Sequence, residues 1–122
     1  MNVAVIGASR DPGKFGNKAV RSYRAHGHRV FPVNLREHEI EGLPAFRSIA
    51  DIPVVLDATL VYVPPHVTLK LLAEIARKGP GTLYLNPGSE DDAVLVRAQE
   101  LGLAPVLACS ILAIGDSPAK YS

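Results

Sequence analysis

The residues from 7 to 16, GASRDPGKFG, combine small residues with a hydroxyl and two cations. The hydroxyl belongs to Ser9 and the cations are Arg10 and Lys14. Backbone N–H groups at the start of a helix, aided by the helix dipole, bind anions. Guanidinium and ammonium groups add charge-assisted hydrogen bonds to phosphate oxygens. The segment therefore predicts a loop that binds phosphate.

The glycine spacing in this loop does not fit the dinucleotide-binding fingerprint. That motif needs G-x-G-x-x-G and an acidic residue at the end of the following strand, which binds the ribose hydroxyls. Here the next glycine after Gly7 is Gly13, and Asn34 and Leu35 stand where the acidic residue is expected. The sequence therefore disfavours an NAD site.

The loop also departs from the nucleoside-triphosphate pattern G-x-x-x-x-G-K-[ST]. Five residues separate Gly7 from Gly13, and Phe15 follows Lys14 where a hydroxyl would hold magnesium. Magnesium-dependent phosphoryl transfer is disfavoured, and the loop suits a diphosphate that is held but not cleaved.

Short apolar runs and helical patterns alternate along the chain. Strands are predicted at residues 3–6, 30–33, 58–63, 82–85 and 105–108. Helices are predicted from residue 15 to the stop at Gly27, briefly at 46–52, at 67–75, and from a cap at Ser89 to Gly102. This alternation predicts one α/β domain over residues 1–122, a Rossmann-like doubly wound parallel sheet of about five strands with helices on both faces.

Ligands of such sheets lie outside the carboxyl ends of the strands. Besides the loop, three strand ends should meet there, at residues 34–36, 63–65 and 86–89. The alternative is that the glycines only allow a tight turn and close helix packing, with Arg10 and Lys14 in solvent. Because four strand ends converge, we favour a ligand site.

The bulk properties exclude several partners. The net charge of +1 provides no general basic field for nucleic acid. Lys18, Arg21 and Arg24 are spaced by three residues, which predicts a solvated helix face. No apolar run reaches the length of a membrane span, and no basic signal region precedes the first strand, so we expect a cytoplasmic protein with no membrane partner.

No catalytic or metal-binding group emerges from the residue types. Cys109 is the only cysteine and follows the fifth strand, where it is better explained as a small hydrophobe than as a reactive thiol. His26 and His28 are too few for a metal site, and His66 has no partner nucleophile. A second site would have to come from a partner subunit, and the sequence is compatible with a homo-oligomer.

Six segments together resemble the small bacterial CoA-binding proteins, single domains similar to the CoA-binding domain of the succinyl-CoA synthetase alpha subunit. The segments are VIGASRDPGKFG, VFPVNL, IEGLPAFRSIADIP, VYVPP, LNPGSED and APVLACSI. The similarity covers nearly the whole chain. Two features depart from it: Leu35 replaces the proline of a V-N-P motif, and the segment LYLNPGSED is shorter than in many relatives.

The resemblance implies a Rossmann-like fold with CoA or acyl-CoA as the ligand. The residues that would meet the diphosphate lie in the loop: Gly7, Ala8, Ser9, Arg10, Lys14, Phe15 and Gly16. Those beside the adenosine would be Asn34, Leu35 and Arg36, with Arg36 facing the 3'-phosphate, and Tyr62, Val63 and Pro64 lining the adenine or ribose. Those offering backbone groups to the pantetheine would be Pro87, Gly88 and Ser89.

The synthetase reaction runs through a phosphohistidine outside this domain, so the resemblance implies binding without ligase activity. The leading hypothesis is a non-catalytic CoA-binding module. Two alternatives stay open. One is an NAD(P)-type oxidoreductase that uses the same crevice, and the other is a degenerate Rossmann-like interaction protein without a ligand.

Overall fold

The computed structural model describes every residue from Met1 to Ser122. It contains seven strands and four α-helices. The strands are β1 Asn2–Ile6, β2 Arg29–Val33, β3 Glu39–Ile40, β4 Leu43–Pro44, β5 Ala58–Val61, β6 Thr82–Leu85 and β7 Val106–Leu107. The helices are α1 Phe15–Ala25, α2 Pro65–Lys78, α3 Asp92–Glu100 and α4 Ser110–Ala113, with 3-10 turns at Ile49–Asp51 and Pro118–Tyr121.

Five strands form one parallel sheet in the order β2-β1-β5-β6-β7. The chain moves from β1 outward to β2 and then returns to the other side of β1 with β5. Strand order therefore reverses between β1 and β5, which is where open α/β sheets bind ligands. This arrangement confirms the predicted doubly wound sheet.

Alternate residues of the central strands supply two cores, because successive side chains of a strand face opposite sides of the sheet. Ala4 and Ile6 of β1 belong to a core cluster that α2 and α3 cover, with Leu72 and Val94 among its members. Val3 and Val5 face the other side, where residues of α1 and α4 pack on them. Both faces of the sheet are therefore covered by helices.

Several element boundaries differ from the sequence prediction. The third strand of the sheet ends at Val61, and the last one comprises only Val106 and Leu107. The helix predicted at 46–52 is wrong: Phe46 bridges Val33 beside β2, and only Ile49–Asp51 forms a 3-10 turn. The antiparallel hairpin of β3 and β4 was not predicted.

The predicted Ser89 cap is also wrong. The side chain of Asp91 caps α3 by accepting the Val94 N–H at 2.9 Å. The Ser89 hydroxyl instead donates to the Asn86 carbonyl at 2.6 Å. Ser89 thus closes the turn after β6, two residues before the helix cap.

The C-terminal residues fold back onto α1 through one buried carboxylate. Asp116, whose side chain is 1% exposed, accepts hydrogen bonds from Ser22 at 2.7 Å and from Tyr121 at 2.5 Å. These hydrogen bonds hold the pKa of Asp116 well below its ordinary value. The interaction fixes the last turn against α1, the helix that follows the loop 7–14.

Candidate functional site

Two cavities lie side by side at the carboxyl edge of the sheet. The main cavity has a volume of about 670 Å³ and the side cavity one of about 490 Å³. Both are lined by Gly7 after β1 and Val63 after β5, so they meet at the strand-order reversal. Each volume falls within the range of about 300–1,000 Å³ usual for small-molecule sites.

The structure brings most of the predicted site residues to these cavities. Predicted residues on the main cavity are Gly7, Lys14, Phe15, Gly16, Tyr62, Val63, Pro64, Pro87, Gly88 and Ser89. Predicted residues on the side cavity are Gly7, Asn34, Leu35, Arg36 and Val63. Ala8, Ser9 and Arg10 line neither cavity, and neither does His66.

The loop between β1 and α1 depends on two glycines at close backbone contacts. Gly7 has a φ of +87°, and a Cβ there would lie 2.9 Å from the Tyr62 carbonyl group. A Cβ on Gly16 would lie 2.1 Å from the Gly7 carbonyl oxygen. Because neither position has room for a side chain, α1 begins directly against the end of β1. Gly7 and Gly16 therefore allow a tight turn and close helix packing, which is the structural role that the sequence analysis gave as the alternative to ligand binding.

The same loop also presents unpaired backbone donors. No acceptor within the chain meets the N–H groups of Ala8, Ser9 and Arg10. At the start of α1 the N–H groups of Phe15 and Gly16 are likewise unpaired, and no side chain caps the helix. Backbone donors of this kind require a partner, and a helix N-terminus favours a negative one. The loop therefore has the donors that a phosphate group needs.

The two cations of the loop occupy different surroundings. Lys14 lies on the main cavity with no carboxylate within 4.0 Å. Arg10 instead reaches Glu37 at 3.4 Å, away from both cavities. Lys14 is thus free to meet an anion in the main cavity, whereas the Arg10 side chain would first have to leave Glu37.

Ser9 and Asn34 contribute to the shape of the loop. The Ser9 hydroxyl accepts the Asp11 N–H at 3.0 Å, forming a local turn. Asn34 donates from Nδ2 to the Ala8 carbonyl at 2.9 Å, and its Oδ1 accepts the N–H groups of Arg36 and Glu37. The Asn34 amide therefore joins the end of β2 to the loop, so its polar atoms are engaged within the protein.

A hydrogen-bonded group underlies the far wall of the main cavity. The Tyr62 hydroxyl and the Ser110 Oγ are 2.6 Å apart, and Ser110 also bonds to Asn86 Oδ1 through its N–H and its hydroxyl. Asn86 Nδ2 donates to the Val61 carbonyl at 3.0 Å. Burial raises the pKa of Tyr62 above its ordinary value, which keeps the phenol neutral. The group joins the ends of β5 and β6 to α4.

In the segment after β6, fewer polar groups are available to a ligand than the sequence predicts. The Ser89 N–H and hydroxyl both bond to the Asn86 carbonyl. The Gly88 N–H has no acceptor within the chain, so it remains available at the cavity wall. Cys109 is half-buried and lines the same cavity, as expected from its position after the last strand.

The side cavity combines apolar walls with two arginines. Val67 and Leu71 of α2 form part of one wall, beside the exposed Leu35. Arg36 and Arg47 line the cavity, and neither guanidinium has a hydrogen-bond or ion-pair partner in the chain. The one carboxylate that lines it, Glu74, accepts a hydrogen bond from Ser48. Apolar walls and two unpaired guanidinium groups suit a ligand that has both an apolar part and a negative charge.

Sequence reasoning missed several of these residues. Arg47 lies in a stretch that was predicted to be helical, and its place beside Arg36 follows from the bridge between Phe46 and Val33. Val67 and Leu71 have the ordinary spacing of a buried helix face. The sequence pattern therefore does not distinguish residues that line a cavity from residues that lie in the core. Asn86 was visible as a polar residue at a strand end.

No group of three or more His, Cys, Asp or Glu side chains is placed to hold a metal ion. None of the helices combines the length and the hydrophobicity needed to cross a bilayer.

The fold and the position of the crevice define a Rossmann-like ligand-binding domain. The model of the CoA binding domain family matches residues 1–115, and the chain belongs to this family. This confirms the resemblance to CoA-binding domains.

Among solved structures, a conserved hypothetical protein from Pyrococcus furiosus superimposes with a TM-score of 0.84 at 30% identity, covering 92% of this chain and 97% of its own. A protein from Thermus thermophilus gives a TM-score of 0.84 at 30% identity, covering 93% of this chain and 87% of its own.

The chain also resembles part of larger enzymes. It is 38% identical over 88 residues to the alpha subunit of the ADP-forming acetate–CoA ligase II of Pyrococcus furiosus, covering 70% of this chain and 19% of that subunit. This chain thus spans less than a fifth of the ligase sequences that it matches.

Proposed function

We propose that this protein binds CoA or an acyl-CoA thioester in the two cavities and holds it without chemical change. The observation that carries the proposal is the uncapped start of α1 on the main cavity, where the N–H groups of Phe15 and Gly16 are unpaired, together with the unpaired donors of Ala8, Ser9 and Arg10 in the loop that leads to it. These donors lie at the strand-order reversal, in a chain of the CoA binding domain family.

The two cavities suggest where each part of CoA would bind. The diphosphate would meet the loop and Lys14, with the charge of the ammonium group directed at a phosphate oxygen. The pantetheine would extend along the main cavity past Gly88 toward Cys109. The adenosine would enter the side cavity between Leu35 and the apolar wall of α2.

Arg36 and Arg47 would then stand beside the ribose 3'-phosphate, the group that distinguishes CoA from dephospho-CoA. Two guanidinium groups without partners in the chain are suited to that charge. Both side chains are exposed, so solvent screening keeps their contribution small, at about 1 kcal/mol.

An NAD(P)-dependent oxidoreductase is less well supported. The Asn34 amide stands where an acidic ribose ligand is expected, and its oxygen and nitrogen already bond to the backbone. The open carboxyl edge and the family match both agree with CoA, which needs no acidic partner at that place.

Titration calorimetry with CoA, dephospho-CoA, ADP and NAD tests the proposal. We expect one CoA site per chain, with dephospho-CoA binding about fivefold more weakly. The double variant Arg36→Gln/Arg47→Gln should lose this difference, and Arg97→Gln on α3, far from the crevice, serves as the control. Tighter binding of NAD than of CoA would support the oxidoreductase. A stable oligomer that binds none of the four would support an interaction protein.

A further inference from the structure

Asn17 is a fully buried polar residue that reaches the phosphate loop from α1. Its Nδ2 donates to the Ser9 carbonyl at 2.8 Å and to Glu41 Oε2 at 3.3 Å, and its Oδ1 accepts the Nε–H of Arg21 at 2.7 Å. A buried amide of this kind is costly unless its hydrogen bonds are made. Asn17 therefore links the loop to the next turn of the helix.

Arg21 extends this link to the C-terminal turn. Its terminal nitrogen donates to the Pro12 carbonyl and to the Tyr121 carbonyl, both at 2.8 Å, and its guanidinium stacks on the Tyr121 ring at 5.4 Å. The residue is half-buried, so the solvated helix face predicted from its spacing is wrong at this position. Three directed bonds need the planar guanidinium fork, which lysine does not have.

The peptide geometry connects these contacts to the unpaired donors. In a trans peptide the C=O and the N–H of one unit point in opposite directions, and the chain has no cis peptide. Asn17 holds the Ser9 carbonyl, which turns the Arg10 N–H the other way. Asn34 holds the Ala8 carbonyl, which does the same for the Ser9 N–H.

We propose that Asn17 and Arg21 are positioning residues for anion binding. Asn17 holds the Ser9 carbonyl against α1, so that the opposite N–H of Arg10 faces outward with no partner and is oriented before the ligand arrives. Arg21 fixes Asn17 and holds the Pro12 carbonyl, and the N–H opposite that carbonyl, of Gly13, bonds to Asp11 Oδ1 within the loop. Donors fixed in advance bind more tightly, because binding then costs less ordering. The inference rests on the proposed function, since the anion in question is the CoA diphosphate.

Two variants separate this role from general stability. Asn17→Asp keeps the side-chain shape and the acceptor for Arg21, but places an oxygen against the Ser9 carbonyl and the Glu41 carboxylate. Arg21→Lys keeps the charge and loses the fork. Each should weaken binding of both CoA and ADP about tenfold, whereas Arg97→Lys should leave it unchanged. Arg97 is a suitable control because it pairs only with Glu100 on the outer side of α3.

The ³¹P resonances of saturating CoA give a readout that a loss of stability alone would not move. We expect the diphosphate resonances in the bound state to differ between wild type and the Asn17→Asp and Arg21→Lys variants, while the 3'-phosphate resonance stays the same. Should Asn17→Asp fail to fold, Arg21→Lys carries the same test.

If wild type binds CoA and both variants bind it within twofold of wild type with unchanged ³¹P spectra, the positioning role is wrong and the proposed function stands. If wild type binds neither CoA nor ADP at millimolar ligand, the proposed function fails and the positioning role fails with it.

Discussion

Replacing Gly16 by alanine tests whether the contact between α1 and β1 sets the site. The added Cβ would lie 2.1 Å from the Gly7 carbonyl oxygen and 2.9 Å from its carbon. An ordinary carbon–oxygen contact is about 3.3 Å. The start of α1 must therefore retreat by about 1 Å, because the neighbouring atoms are backbone and cannot rotate away.

This retreat has two consequences of different size. Overpacking of a tight site costs about 1–3 kcal/mol, which lowers the melting temperature of a domain of this size by about 4–12 °C. The N–H groups of Phe15 and Gly16 move with the helix. Because hydrogen bonds to phosphate weaken steeply beyond about 3.2 Å, we expect CoA affinity to fall at least tenfold.

Gly13→Ala is the matched control. Gly13 lines the same cavity in the same loop, but a Cβ there meets only the Asp11 carboxylate, at 3.3 Å. That side chain can move, so we expect little change in melting temperature and less than threefold change in affinity. Calorimetry and thermal unfolding of both variants supply the data. The reasoning is refuted if Gly16→Ala melts with wild type and binds CoA as tightly.

Two further expectations concern charge. Lys14→Ala should weaken CoA binding by about 1–3 kcal/mol, and Arg10→Ala should weaken it by clearly less. The reason is that Lys14 lies on the main cavity without an ion-pair partner, whereas Arg10 is paired with Glu37. Equal losses of affinity by calorimetry would show that Arg10 leaves Glu37 for the ligand. Hydrogen bonds from Tyr121 and Ser22 hold the pKa of Asp116 below its ordinary value, so the folded state binds this proton less readily than the unfolded state. The stabilisation is present above about pH 4 and is lost as the pH falls further. Asp116→Asn should therefore reduce the loss of stability between about pH 5 and pH 2 in urea unfolding, and an unchanged pH dependence would contradict this.

The sequence was sufficient to predict the sheet, because buried parallel strands appear as continuous apolar runs and the alternation with helices leaves few topologies. It also located the crevice, since ligands of doubly wound sheets bind outside the carboxyl ends of the strands. Boundaries were less accurate where tertiary pairing decides them: Phe46 follows a helical pattern but bonds beside β2.

The division of roles within the site was beyond the sequence. Asn34 and Ser9 looked like ligand contacts, yet their side-chain polar atoms bond to backbone groups of the loop and of the turn after β2. Arg21 looked like a surface cation and is fixed by three acceptors. Residue type shows what a side chain is able to bind, whereas its actual partner depends on loop geometry that residue spacing does not encode.

An NMR titration of ¹⁵N-labelled protein with CoA tests the central claim most directly. The account predicts saturable shifts of the backbone amides of Ala8, Ser9 and Arg10, and of those at Phe15, Gly16 and Gly88, with the amides of α3 unaffected. Absence of shifts at millimolar CoA, or shifts confined to residues outside both the loop 7–16 and the two cavities, would contradict it.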